Sequence, residues 1–477
     1  MHIDTTPATA HEPHRYPRRW YAAIVLLVAF LMDLVDVTSV NVALPSIQRD
    51  LRADPVQLEW VSAAYLLAFA VALITAARLG EQYGRKRVFL ISVAAFGLAS
   101  LCCGLAPSVS ALLAARVVQG LAAAGLTPQV LSTVYVIFDD EERGSVFGLW
   151  GIVASLAHAL GVLLGGLLIT ADLAGSGWRA IFMVNVPIAA ALVVLGVRYV
   201  PETRVPGAAR PNVLAVGVLT ASLVALVVPL LEGNRVGWPT WCWLCLAGGL
   251  SALAALATWD GRQKVRRSAP VLPADLFRIR SVSSALAIQL FAFGGFNGLL
   301  LTLTLWMQNG LGYSPLRAGL VTVSFAAGAL PTAPLVGRLT KRFGRATVGA
   351  GCVLFALGAV ALLPAGYATP HAGVWSLVPG LLLIGCAINL IMPPLATLYM
   401  AAVPPHHASS AAGVLSTGQQ FAGALGVAVL GSVFFATLAT GGYRAAFTTS
   451  AMVTAATLAA SALLCLALSR RVATNPT

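Results

Sequence analysis

The sequence predicts an all-α membrane protein of fourteen transmembrane helices: two six-helix bundles with two further helices inserted between them. Three observations predict it. The first is composition, because 58% of the 477 residues are hydrophobic and only 10% are charged, whereas a soluble protein carries about 25% charged residues. The second is a succession of apolar stretches, each near the roughly 20 residues that a helix needs to cross a hydrocarbon core. The third is an internal repeat. A net charge of +13 would ordinarily point to nucleic acid or an anionic surface. Here the bases lie in short loops between apolar stretches, so no nucleic-acid partner is expected.

In chain order the apolar spans are 20–44, 57–77, 88–106, 109–131, 145–169, 180–199, 212–231, 239–259, 282–306, 315–336, 346–366, 376–402, 409–436 and 445–468. The polar start, Met1 to Pro17, has no apolar run and does not read as a signal peptide. Arg15, Arg18 and Arg19 precede the first span, and Pro45 is expected to close it. Fourteen spans put both termini on one side, and 23 of the 30 Lys and Arg fall on that side against 6 on the other. Cytoplasmic loops hold the excess of bases, so both termini are expected in the cytoplasm. Arg116 is the one base left inside a span.

The repeat lies in two of the basic loops. Ala77-Arg78-Leu79-Gly80-Glu81-Gln82-Tyr83-Gly84-Arg85 and Gly337-Arg338-Leu339-Thr340-Lys341-Arg342-Phe343-Gly344-Arg345 align without gaps at a shift of 260 residues, with four identities. Parallel six-helix repeats are a known transporter architecture. The expected division is therefore a cytoplasmic tail 1–19, a first bundle 20–205, two inserted helices over 206–262, a basic cytoplasmic linker 263–281, a second bundle 282–468 and a tail 469–477. Glu232 is an acid at a helix end of the insert, for which a structural role is expected.

Chemistry is sparse in such a chain, which makes each ionisable group informative. Asp33 and Asp36 sit mid-span, and their i, i+3 spacing puts them on one face of the first helix. A charge in mid-membrane costs about 2.5–3.5 kcal/mol on insertion scales, so such residues usually face a cavity and work there. Arg116 must find a carboxylate, carbonyls or water, and the two aspartates are the intramembrane acids the sequence offers. Glu59, Asp172 and Glu232 read as helix-end or outer-loop acids. His158 lies within the fifth span and has the pKa range of a switch. Cys242-Trp243-Leu244-Cys245 has CxxC spacing but no βαβ context, following His or second pair, so the seven cysteines read as small apolar fillers with no metal or cofactor. The chain has no phosphate-binding Gly-x-x-x-x-Gly-Lys-Ser/Thr loop, which argues against ATP as the driving force.

The chain resembles the major facilitator superfamily, and within it the fourteen-helix drug:proton antiporters. Asp36-x-Thr38-x-x-Asn41-Val42-Ala43-Leu44-Pro45 is similar to that family's first-helix motif, and Ala77 to Arg87 to its loop between the second and third helices. Arg116-Val117-Val118-Gln119-Gly120 matches Arg-x-x-Gln-Gly. Gly161-Val162-Leu163-Leu164-Gly165-Gly166 resembles the antiporter motif Gly-Pro-x-x-Gly-Gly, with Val162 where Pro is usual. Trp178 to Pro187 and Gln308 to Pro315 also look like this family.

The resemblance implies a proton-coupled transporter that exports hydrophobic drugs or antibiotics by alternating access, driven by the proton gradient without a cofactor. Its partners would be a small-molecule substrate, protons and membrane lipid, and it is expected to act as a monomer. Asp36, Asp33 and Arg116 would couple protons; Arg78, Glu81, Gly84 and Arg85 would form a charge latch between the two halves. His158, Gly161, Gly165 and Gly166 mark the antiporter-type helix. A substrate cavity is expected from Asn41, Gln119, Gln289, Phe293, Asn297, Asn389 and Gln420, with Phe291, Phe296 and Gln419 nearby. The alternatives within the fold are a proton-coupled importer and a dedicated metabolite exporter. A membrane sensor would need an output domain, and an integral-membrane enzyme would need a catalytic constellation that the sequence does not show.

Overall fold

The computed structural model describes residues 16–204, 212–262, 274–364, 374–403 and 408–468. Most of the expected N-terminal tail, residues 263–273 of the expected linker and the tail 469–477 lie outside them. The regular structure among the described residues is helical. We label α1 Arg19–Leu51, α2 Pro55–Tyr83, α3 Arg85–Gly104, α4 Val109–Ile137, α5 Asp140–Ala171 and α6 Asn185–Tyr199. Then follow α7 Val213–Val236, α8 Thr240–Arg262, α9 Arg280–Leu305, α10 Pro315–Phe343, α11 Arg345–Ala361 and α12 Val378–Ala401. The last helical stretch, Ala408–Leu464, has 57 residues but breaks at Gly442, whose φ of 72° and ψ of 177° are not helical. At 1.5 Å per residue an unbroken helix of that length would reach about 85 Å, nearly three times the hydrocarbon core. We label its two parts α13 (408–441) and α14 (443–464).

Among the described residues, eleven helices are long and apolar enough to cross a membrane, the bent 408–464 stretch counting once; Leu156–Ala171 in α5 and α11 are shorter apolar helices. The chain is therefore a multi-pass, all-helical membrane protein. Local chemistry sets the helix starts. Asp54 and Gln57 form a reciprocal capping box at the head of α2, with Pro55 in the first turn. Pro45 does not close the first span: α1 runs through it to Leu51, with Pro45 buried. A proline removes one backbone donor, and membrane helices absorb that loss where neighbouring helices pack around it.

The two sets of six helices pair in the same order. In α1–α6 the first packs on the fifth, the second and third on the fourth, and the third on the sixth. In α9–α14 the same neighbours recur: α9 meets α13, α10 and α11 meet α12, and α11 meets the end of α14. The repeated loops also dock alike. Gly84 and Gly344 both have positive φ, 107° and 53°, a conformation open to glycine. The arginine after each then bonds the segment that follows the last helix of its own set. Arg85 N–H donates to Thr203 O at 3.0 Å, and Arg345 Nη1 donates to Leu466 O at 2.5 Å and Leu468 O at 3.1 Å.

The sets meet at the end of α1 remote from Arg19. Gln308 Nε2 donates to Val42 O at 2.8 Å, and Asn309 Nδ2 donates to Gln48 Oε1 at 3.2 Å. Helices α5 and α10 touch backbone to backbone: a Cβ on Gly166 would lie 2.7 Å from Pro315 O, and one on Gly319 2.8 Å from Val162 O. Helix α7 bridges both sets, since Trp60 Nε1 donates to Glu232 Oε1 at 2.9 Å and Ser432 Oγ donates to Leu230 O at 2.8 Å.

Candidate functional site

The site grows from α1. Its face carrying Asp33 and Asp36 turns inward, and both carboxylates are buried, Asp36 at 1% exposure. A carboxylate so placed needs partners, and α2, α4 and α6 supply them. Arg116 Nη1 of α4 donates to Asp36 Oδ2 at 2.7 Å. Gln119 Nε2, one turn along α4, and Asn185 Nδ2, at the start of α6, donate to Asp36 Oδ1 at 2.9 and 2.8 Å. The guanidinium is itself shared: Nε donates to Val61 O of α2 at 3.1 Å, Nη1 also reaches Gln119 Oε1 at 2.7 Å, and the ring of Tyr65 lies 4.2 Å below it. Ser100 Oγ of α3 accepts from Gln119 at 2.8 Å. Tyr65 Oη closes the cluster by donating to Asp33 Oδ1.

This arrangement places one ionisable carboxylate at the junction of α1, α4 and α6. While Asp36 is ionised, its charge-assisted hydrogen bonds tie those helices together. Protonation removes the attraction to Arg116 and one acceptor site. A proton can therefore change how tightly the helices hold, which is the element that coupled transport requires.

The structure brings Asp36, Asp33 and Arg116 together as the sequence implied. Gln119, expected at the substrate cavity, is fully buried inside this cluster instead. Sequence reasoning missed Tyr65, Ser100 and the role of Asn185. Asn185 lies in the Trp178-to-Pro187 motif, which was a signal; Tyr65 and Ser100 carry none, because only the packing of α2 and α3 brings them in. Glu59 departs from expectation too: although close to the start of α2, it is buried at 2% exposure, and a Cβ on Gly431 of α13 would stand 2.7 Å from its carboxyl carbon.

The antiporter-type glycines make a junction. A Cβ on Gly161 would meet Thr38 Oγ1 at 1.8 Å, and one on Gly165 would meet Ser39 Cα at 3.0 Å, so α5 lies directly on α1. Small residues permit that approach. His158 Nδ1 donates to Ala154 O at 2.8 Å, and its ring lies near Phe296 and Phe325, which stack at 4.9 Å. These side chains line a cleft of about 20 Å³ with Thr38 and Val162, room for about one water.

The other expected cavity residues do not converge on one space. Asn41 Nδ2 donates to Val37 O, and Ser62 Oγ donates to Asn41 Oδ1, on the α1–α2 side. Phe293 and Asn297 of α9 face Leu66 of α2 across Gly423 of α13. Asn389 Nδ2 is tied to Ala329 O of α10 at 2.7 Å, and Gln289 Nε2 to Leu415 O at 2.7 Å. Gln419 and Gln420 are half-buried on α13, while Phe291 is exposed. Periodicity placed these residues on apolar helices, but their azimuth was set by neighbours the sequence could not order.

Arg78, Glu81, Gly84 and Arg85, the residues expected to form the charge latch, lie where α2 gives way to α3. Arg78 Nη1 pairs with Glu81 Oε2 at 2.9 Å within one turn, and Arg85 Nη1 reaches Ser132 O of α4 at 3.5 Å. A Cβ on Gly84 would meet Glu202 Oε1 at 2.5 Å, and that carboxylate accepts from the backbone of Lys86 and Thr203. In this conformation the loop is fastened within its own six helices, by a glutamate outside the motif. Among the described residues no group of three His, Cys, Asp or Glu could hold a metal ion.

A family model described as Major Facilitator Superfamily matches residues 26–427 and 285–477. A Streptomyces coelicolor protein named "Probable actinorhodin transporter" is 37% identical over 435 residues, 90% of this chain and 75% of that protein. A puromycin resistance protein of Streptomyces alboniger is 38% identical over 446 residues, 92% of this chain and 86% of that protein. Among solved structures, a POT family transporter in complex with 5-aminolevulinic acid shares the fold at a TM-score of 0.66 and 13% identity, covering 93% of this chain and 95% of that one.

Proposed function

The chain belongs to the major facilitator superfamily, and from that premise we propose that it exports an antibiotic or another hydrophobic drug across the cytoplasmic membrane in exchange for protons. The names of its relatives support the substrate class: they are a transporter and resistance proteins for actinorhodin, puromycin and tetracenomycin. The observation that carries the coupling is the Asp36–Arg116 pair, buried at the meeting of α1, α4 and α6. Asp36 carries the proton, Arg116 sets its affinity, and Asp33 with Tyr65 assists or meets a cationic substrate. The proton gradient drives the cycle without a cofactor, and the monomer is the working unit.

In this reading the chain crosses the membrane fourteen times, α13 and α14 being separate crossings, with both termini cytoplasmic. The bundles are 20–205 and 282–468, and α7 and α8 lie within the insert 206–262. The contacts of Gln308 and Asn309 with α1 then close the outer side, and the Arg78–Glu81 loop marks the inner side.

The test is transport in inverted membrane vesicles under an imposed proton gradient, together with a drug-susceptibility panel in an efflux-deficient host. Gradient-dependent drug uptake into the vesicles, with proton release on drug addition, is the expected result. Movement in the opposite direction would make the protein an importer and sink the export reading.

A further inference from the structure

The seam between α2 and α13 joins the first set of helices to the second, and it holds a carboxyl group that the Asp36 cluster does not use. Along the seam, Ile74 of α2 lies beside Gly413 of α13, Leu66 beside Gly423, and Glu59 beside Gly431. The first two contacts are apolar. The third buries an acid at 2% exposure. Glu59 stands one turn into α2 from Pro55, at the end of the molecule where Gln308 and Asn309 bond α1. In the proposed topology that is the outer end.

The glycine is what admits the carboxyl group. A Cβ on Gly431 would stand 2.7 Å from Glu59 Cδ and 3.0 Å from Oε1, so the acid lies directly on the backbone of α13. Glu59 Oε2 is buried and has no hydrogen-bond partner among the described residues. The neighbouring charges supply no counter-ion. On α2, Asp54 is engaged in the capping box with Gln57. On α7, Glu232 accepts from Trp60, and the exposed Arg235 lies 3.8 Å from Glu232 and 4.0 Å from Asp54. At the end of α1, Arg49 bonds Pro45 O and Asp50 pairs with Arg179. On α13 the flanking Leu430 and Ser432 are uncharged. The charged group that acts on Glu59 is Glu232, a second acid.

A carboxylate buried without a counter-ion is far costlier than the neutral acid. The closed seam therefore accepts Glu59 with its proton and resists it without. Parting α2 from α13 at the outer end would give the carboxyl group water, where both forms are tolerated. Protonation thus favours the closed seam, and a difference of this kind between two states is what lets a proton shift their balance.

We propose that Glu59 makes closure of the outer side proton-dependent: external protons load its carboxyl group while α2 and α13 stand apart, and the neutral acid then seals against Gly431. The proposal rests on the proton-exchange reading and adds a step to it. The proton returns to the outside when the seam reopens, so Glu59 adds nothing to the protons carried across; Asp36 carries those.

The experiment uses the full chain, cysteine-free, in lipid nanodiscs. Arg52, between α1 and α2, and Thr440, near the end of α13, are both exposed. Nitroxide labels on Arg52→Cys and Thr440→Cys report the opening as a distance by pulsed electron paramagnetic resonance. Expected is a short distance that dominates in acid buffer and a longer population that grows as the buffer becomes alkaline. Glu59→Gln, neutral and close in size, should hold the short distance at every pH. Glu59→Met should do the same, and serves where the amide unsettles the fold. In an Asp36→Asn background the pH dependence should persist, and it should vanish when Glu59→Gln is added. A pH dependence that survives both neutral variants of Glu59 overturns the proposal, and so does a wild-type distance that ignores pH. Drug export in vesicles is measured alongside. Export with a seam indifferent to Glu59 sinks the seal alone; a Glu59-dependent seam without export sinks the export reading alone.

Discussion

Arg116 Nη1 stands 2.7 Å from Asp36 Oδ2, and both side chains are withdrawn from solvent. Neither residue is neutralised by anything nearer, so each fixes the other's place. Removing one partner of such a buried pair costs about 3–5 kcal/mol, because the survivor is left uncompensated. Asp36→Asn keeps the shape but mimics the protonated state. Drug binding should persist while proton release and gradient-driven export fall to background in reconstituted vesicles. Wild-type values for both would move the coupling role to Asp33 or His158. Arg116→Ala should also lower the amount of folded protein in the membrane.

Asp33 has a lighter set of partners, with Tyr65 as the hydrogen-bond donor found for it. Asp33→Asn should reduce export of a cationic dye while sparing a neutral one, and Tyr65→Phe should follow the same pattern more weakly. Paired efflux assays with the two dyes decide. Equal losses for both would show that Asp33 belongs to proton coupling rather than to substrate charge.

The Gly84 turn combines backbone strain with crowding. At φ 107° and ψ 130° the backbone sits in a sparsely populated region that costs a residue with a side chain about 1–3 kcal/mol, and a Cβ there would strike Glu202. Gly84→Ala should impair transport and lower thermal stability. Adding Glu202→Ala relieves the clash but not the strain, so partial recovery is expected in a double-mutant cycle. Full recovery would assign the defect to crowding alone. Separately, Arg78→Ala and Glu81→Ala should each slow transport at matched membrane abundance; unchanged rates would leave these charges a purely topological role.

Gly166 lets α5 touch Pro315 of α10, so a larger residue should prise the two sets of helices apart at that end. In a cysteine-free background, Gln308→Cys reports the gap. Labelling from outside by a membrane-impermeant maleimide should rise when Gly166→Leu is added. No change would mean that the contact does not hold this end closed.

The proposed topology has its own test. Reporter fusions after Arg198 and after Arg267 should both read cytoplasmic, since α7 and α8 form a complete outward-and-back pair. An external signal at either position would remove the two-helix insert.

Much of this protein could be read from sequence because the membrane simplifies the problem. A bilayer leaves backbone polar groups no partner but the helix itself, so apolar length alone located the helices, and the asymmetry of the bases predicted their orientation. The same solvent made Asp33, Asp36 and Arg116 conspicuous, since a charge is tolerated there only with a counterpart. What needed the tertiary structure was every question of azimuth and neighbour. Helices in this chain are apolar nearly all round, so periodicity could not tell which side of α9 Phe291 and Phe296 occupy, or that Gln119 turns into the ionic cluster rather than towards substrate. Asn185, Tyr65 and Glu202 meet their partners across separations of 149, 32 and 116 residues, and local pattern carries no trace of such contacts. Pro45 was misread for a related reason: its effect on a helix depends on what packs around the freed carbonyl, and packing is a property of the fold.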